Sequence, residues 1–153
     1  MTKKSWQEKL RDSKDLPKIV KMSKEQAKKW GGETLAIPSP LEIDELMKKV
    51  PKGKVTTVAK LREKIAKKHK AKVGCPLTCG IFSWIAAYAA EEARAEGKKS
   101  ITPWWRTLKG QGELNPKYPG GEDTQMKKLK AEGIIFEQKG KKAIVKDLEK
   151  YLI

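Results

Sequence analysis

Histidine is almost missing from this sequence and cysteine is scarce. His69 is the only imidazole and lies inside a lysine run, and Cys75 and Cys79 are the only thiols. Structural zinc wants four Cys or His ligands, so no metal site is expected. The two thiols would lie one turn apart on a helix. The first 14 residues are charged and lack the apolar stretch of an export signal. Buried, reduced cysteines are therefore expected rather than a disulfide framework. Long apolar runs are absent too: nothing approaches the roughly 18 residues of a membrane span. A soluble, cytoplasmic protein with no membrane contact is the expectation. No acid–base pair or metal set converges, so an enzyme of unrelated chemistry has no support, and no cofactor is expected.

Acid is the other shortage. Thirty-five Lys and Arg face 19 Asp and Glu across 153 residues, a formal charge of +16. Such a balance speaks about partners rather than fold, and polyanions come first. The charge is concentrated between Lys48 and Lys72, where Glu63 is the only acid. A solvated lysine face, as in heat-tolerant proteins, is the bland alternative, but it would carry glutamate as well. Nucleic acid is preferred on this ground.

The length suits one domain with an extension. Residues 1–39 read as that extension and 40–153 as the domain. In the extension, Ser5 to Arg11 is a short helix. Ser23 to Gln26 has capping-box spacing and opens another, stopped by Gly31-Gly32. Thr34 to Ile37 is extended. The spacing then predicts a helix over Leu41 to Val50, ended by Pro51-Lys52-Gly53. A second helix over Val58 to Lys68 has Thr57 as N-cap. A third runs from about Leu77 to Glu96, with Gly80, Ser83 and Ala87 on one side. Those small residues allow either tight helix packing or close approach to a ligand. Trp104 to Leu108 reads as a strand, and Gly110-Gln111-Gly112 as a turn. Asp123 or Thr124 caps a further helix to Ala131. Ile134 to Gln138 and Lys142 to Val145 form a hairpin, and Asp147 to Tyr151 a final turn.

Three helices followed by strands give the fold class: mainly α with a small β wing (α+β), a winged helix-turn-helix with an N-terminal extension. Lys52, Lys54, Lys60, Lys64, Lys67 and Lys68 lie on or just before the second helix, where phosphate contacts are made. Thr56, Thr57, Gly80 and Ser83 are candidates for close approach to backbone or groove.

The stretch ITPWWRTLKGQGEL (Ile101 to Leu114) places two indoles side by side in a hydrophilic chain. They are either core or the wall of a pocket. Here the residues carry a resemblance. VPKGKVTT (Val50 to Thr57), the Gly74-Pro76 turn before a small-residue helix, PWWR (Pro103 to Arg106), GQGEL (Gly110 to Leu114) and KLKAEG (Lys128 to Gly133) occur in that order. Together they resemble the C-terminal DNA-binding domain of the methylated-DNA–protein-cysteine methyltransferases, over roughly residues 40–136. That family binds duplex DNA through the minor groove. It flips an alkylated guanine into a pocket and moves the alkyl group to a cysteine, which a histidine activates and a glutamate orients.

Carried onto this chain, the cysteine position is Trp104 and the histidine position Trp105, while Arg106 and Glu132 match. Alkyl transfer by that mechanism then has neither nucleophile nor base. The resemblance is nearest to the alkyltransferase-like group, which has Trp where the cysteine stood. It implies a non-enzymatic DNA-binding protein that senses O6-alkylguanine and flags it for repair. Trp104, Trp105, Arg106 and Glu132 would line the pocket, and a repair protein would be a second partner. A nucleoid-associated monomer is expected.

Three departures bear on flipping. The family's phosphate-rotating Tyr is Val58, its base-replacing Arg falls at Gly80, and its hinge Asn falls at Ala89. Groove or phosphate binding is the part expected to survive. The competing reading is a protein-interaction module that keeps the fold, favoured if the first 40 positions expose apolar residues.

Overall fold

The computed structural model describes residues 4–153; residues 1–3 of the expected extension lie outside the described residues. The elements in chain order are α1 (Trp6–Arg11), β1 (Lys18–Lys21), α2 (Lys24–Trp30), β2 (Thr34–Ile37), α3 (Pro40–Lys48), β3 (Thr56–Thr57) and α4 (Val58–Lys68). Then come β4 (Val73–Gly74), α5 (Pro76–Ala95), a 3-10 turn (Trp104–Arg106), β5 (Thr107–Leu108), α6 (Gly121–Ala131), β6 (Phe136–Lys139), β7 (Lys142–Val145) and α7 (Leu148–Tyr151). The architecture is mainly α with small sheets. Helices α4 and α5 form the helix-turn-helix and β6–β7 the wing.

Local chemistry sets the helix starts. Ser5, Ser23 and Ser39 each close a capping box with Glu8, Gln26 and Glu42. The Thr57 hydroxyl accepts the Lys60 N–H at 3.2 Å and starts α4. Helix α6 differs from expectation. Its N-cap is Gly120 in the left-handed region, so Asp123 and Thr124 lie inside its first turn. The expected strand at Trp104 is also corrected: residues 104–106 turn as a 3-10 helix, and only Thr107–Leu108 is extended.

Helix α5 is the axis of the molecule. Cys79, Ala86, Ala87 and Ala90 face the core with Ile43, Met47, Leu61, Ile65, Trp104 and Tyr118. Alanines at these positions let α3 and α4 approach closely. The turn between α4 and α5 is just as tight. A Cβ on Gly74 would lie 2.2 Å from the Arg62 carbonyl oxygen, so only glycine fits there. Arg62 Nε returns a hydrogen bond to the Gly74 oxygen at 2.9 Å.

Under the wing a second cluster joins Val55, Leu108, Leu114, Leu129, Ile134, Val145 and Tyr151. Strand β3 pairs parallel with β5, Thr56 against Thr107. Beside it Val55 donates to the Tyr151 oxygen and accepts from Ile153 N–H, both at 3.0 Å.

The N-terminal residues pack onto this body. Trp6 stacks on Tyr88 of α5 at 4.7 Å between ring centroids and meets Trp84 edge-on at 6.1 Å. The N–H groups of Trp6 and Gln7 donate to Glu92 at 2.9 and 3.0 Å. Strand β1, unforeseen in the sequence, pairs antiparallel with β2, and β2 pairs parallel with β4 of the helix-turn-helix.

Candidate nucleic-acid interface

The lysine candidates divide by what they already hold. Lys52, Lys64 and Lys67 are exposed and carry no ion pair among the described residues. Lys54 reaches the Lys150 carbonyl at 3.4 Å, and Lys60 sits 3.6 Å from Glu63. Lys68 is committed to Glu42 at 2.6 Å, where His69 Nε2 also arrives at 2.7 Å. Burial pushes the Glu42 carboxyl up, but Lys68, the Ser39 N–H and His69 together hold it below its ordinary value. Lys68 therefore staples the end of α4 to the start of α3.

The small-residue candidates also divide. Gly80 is open: a Cβ there would meet nothing within 4 Å. Around it the first turns of α5 show solvent Leu77, 65% exposed, and Ile81, 40% exposed. Ser83 is corrected. It is fully buried and donates to the Gly80 oxygen at 2.6 Å, so it packs the core and touches no groove. Thr56 and Thr57 are corrected likewise. Thr56 is buried and donates to the Ile153 oxygen at 3.3 Å, while buried Thr57 is spent capping α4. Their contribution is to fix where α4 begins.

The expected pocket is closed. Trp104 does not line a wall; it is fully buried and fills the space, with Tyr118 edge-on at 5.2 Å and Trp105 at 5.7 Å. Its Nε1 donates to Glu91 at 3.2 Å. Burial raises the Tyr118 phenol well above its ordinary value. Cavities open elsewhere, one of 470 Å³ between α1, α3 and α5 and one of 1170 Å³ beside the wing. Neither is lined by Trp104, Trp105, Arg106 or Glu132.

Trp105, Arg106 and Glu132 come together as one satisfied cluster. Glu132 accepts from Trp105 Nε1 at 2.9 Å and from Arg106 Nε and Nη2 at 2.9 and 2.8 Å. The remaining Arg106 amine donates to the Val50 oxygen at 2.8 Å. Lys128 lies 4.7 Å over the Trp105 ring. Burial pushes the Glu132 carboxyl up, yet the bonds from Arg106 and Trp105 hold it below its ordinary value. An indole N–H thus sits on the acid where an imidazole N–H was expected in the resembling family. The indole has no basic lone pair, so the contact can hold a ring in place but cannot accept a proton.

One residue that sequence reasoning missed organises this region. Buried Gln125 accepts from Asn115 N–H at 2.8 Å and donates to the oxygens of Trp105 and Thr107, both at 3.1 Å. A lone glutamine in a polar helix carries no signal of this in sequence. The thiols offer no substitute chemistry. Both are buried and unpaired, and burial pushes Cys79 up to about 12. No group of His, Cys, Asp and Glu suited to a metal occurs among the described residues.

The crystal structure of S. pombe Atl1 in complex with damaged DNA containing O6-carboxymethylguanine aligns with 74% of this chain and 93% of its own, with a TM-score of 0.51 at 17% identity. This is an alkyltransferase-like fold. A structure of S. pombe ATL in complex with DNA aligns over the same shares, with a TM-score of 0.46 at 19% identity. No family model matches the sequence, and no curated protein matches it. Helix α4 carries the exposed Lys64 and Lys67, and the first turns of α5 carry the open Gly80.

Proposed function

We propose that this chain is a non-enzymatic protein that binds duplex DNA with its helix-turn-helix, in the manner of alkyltransferase-like proteins. The observation that carries this reading is the pairing of an alkyltransferase-like fold with a free lysine row. Lys52, Lys64 and Lys67 take phosphates, and the Gly80 turn of α5 approaches the minor groove. Leu77 and Ile81, flanking that turn, suit a groove floor better than a phosphate. Thiol-based alkyl transfer has no exposed agent: by the resemblance Trp104 and Trp105 stand at the two reactive positions, and Cys75 and Cys79 are both buried. A chain of this charge would act on the nucleoid, within the cytoplasm.

A narrower reading adds recognition of O6-alkylguanine and the flagging of it for a repair protein. It is favoured by the DNA that S. pombe Atl1 holds. It requires room for an extruded base, and here that room is occupied by Trp104 and Tyr118. Extrusion already costs a few kcal/mol, and moving two packed aromatic rings adds to that cost. Binding without extrusion is the reading the filled pocket supports best.

Fluorescence anisotropy with two matched duplexes, one carrying a single O6-methylguanine, separates these readings across a salt series. Equal, steeply salt-dependent affinity is expected, with little change in tryptophan emission. Tighter binding to the lesion with altered emission would install the narrower reading. No binding to either duplex at low salt would remove the DNA reading and leave a protein-interaction module.

A further inference from the structure

Strand β1 is the outer edge of the three-stranded sheet β1-β2-β4. All its residues, Lys18 to Lys21, are exposed. Met22 N–H donates to the Glu33 oxygen at 2.7 Å, which makes these two a hydrogen-bonded antiparallel pair. Alternation down the ladder turns the N–H and C=O of Ile19 and Lys21 away from β2. Ile19 is 51% and Val20 36% exposed, between two lysines. An edge of this kind is a template for further pairing.

Its charges choose the partner. Antiparallel pairing of two copies through the free groups of Ile19 and Lys21 centres on Val20, sets Ile19 against Lys21 and gives neither lysine an opposite charge. An acidic strand meets the reverse situation. Lys18 already draws the exposed Asp15 carboxylate to 2.9 Å. We propose that β1 docks an extended segment of a protein partner, with apolar residues between two acids, as a fourth strand of the sheet. The partner's acids sit opposite Lys18 and Lys21, and its backbone takes the free groups of Ile19 and Lys21. Because only β2 separates β1 from β4, the added strand lies beside the helix-turn-helix, about 15 Å from the β4 backbone.

The test uses the full chain and a fluorescent peptide with the core Glu-Val-Ile-Glu. Controls are the same peptide N-methylated at alternate amides, and a Lys-Val-Ile-Lys peptide. The expected result is saturable binding of the first peptide, about tenfold weaker after methylation of the amides facing the edge and absent for the basic peptide. Reversal of both lysines (Lys18→Glu with Lys21→Glu) should switch preference to the basic peptide. Ile19→Pro removes an N–H that β2 does not use and should abolish binding with an unchanged circular-dichroism spectrum. Equal binding of methylated and unmethylated peptides would reduce the effect to charge alone and overturn the proposal. So would displacement of the peptide by duplex DNA, self-association through β1, or no binding at all.

Discussion

Two regions of this molecule had the same starting credentials, an unusual local composition and a match to one family's pattern. The Trp104 region turned inward. Trp104 and Tyr118 are buried, Trp105, Arg106 and Glu132 are partly buried, and Trp104, Trp105, Arg106 and Glu132 are all hydrogen-bonded. The α4 region turned outward, with Lys52, Lys64 and Lys67 free of ion pairs among the described residues. Where chemistry would have needed an empty site, the chain built core. Where binding needs unspent charge, the charge is unspent. A closed interior and an open charged surface are thus physically independent in this fold.

Breaking the closed region should have the largest effect. Glu132→Ala leaves the partly buried Arg106 guanidinium without its carboxylate, and about 3 kcal/mol of stability should be lost in urea unfolding. Trp104→Ala should cost a similar amount, about 3–5 kcal/mol, through the cavity it leaves. At temperatures where either variant stays folded, its affinity for undamaged duplex should remain near that of the parent. A large loss of DNA affinity in folded Trp104→Ala would erase the distinction between the two regions.

The open region should respond in binding rather than stability. Lys64→Ala and Lys67→Ala should each lower the slope of log K against log salt by about 0.9. Unfolding midpoints should stay put. Lys68→Ala sharpens the contrast. Its ammonium is held by Glu42, so it should shift stability slightly and the salt slope less than its neighbours do. Equal slope changes for all three would show that the Glu42 pair opens on binding.

A smaller effect is expected from pH. Glu42 and Glu132 both sit below their ordinary values in the folded chain. Each therefore contributes stability that is fully present above the unfolded glutamate value, about 4.3, and is lost as pH falls through the folded value. Stability should be flat from pH 7 to about 5 on their account and decline below that. Glu132→Gln should flatten part of that decline. Smallest of all, both cysteines should resist thiol reagents at neutral pH until the chain unfolds, since both are buried.

Sequence was informative wherever a local rule sufficed. Ser23, Thr57 and the β6–β7 hairpin each declare their role through residues close by in the chain. The helix-turn-helix follows from apolar spacing at Leu61 and Ile65. What stayed hidden depends on distant partners. Lys-Ile-Val-Lys has no alternation and becomes a strand only because β2 lies beside it. Gly120 replaces Asp123 as the α6 cap because the preceding loop delivers the chain in a left-handed turn. Ser83 looks the same in sequence whether a groove or Tyr118 covers it. The Trp pair reads equally as core or wall in sequence, and the distinction rests on Tyr118 and Gln125, residues with no sequence signature.

The pairing of Val55 with residues 151–153 has a consequence for the order of assembly. It joins segments almost a hundred positions apart, and contacts of that separation form late because the intervening loop must close first. During synthesis α4 can coil as soon as it emerges, but the strand that fixes its first turn waits for the final segment. Until then the lysine row sits on an unanchored helix. A nascent chain should therefore hold the first turn of α4 in its final place only once residues 151–153 have been made and have paired with Val55.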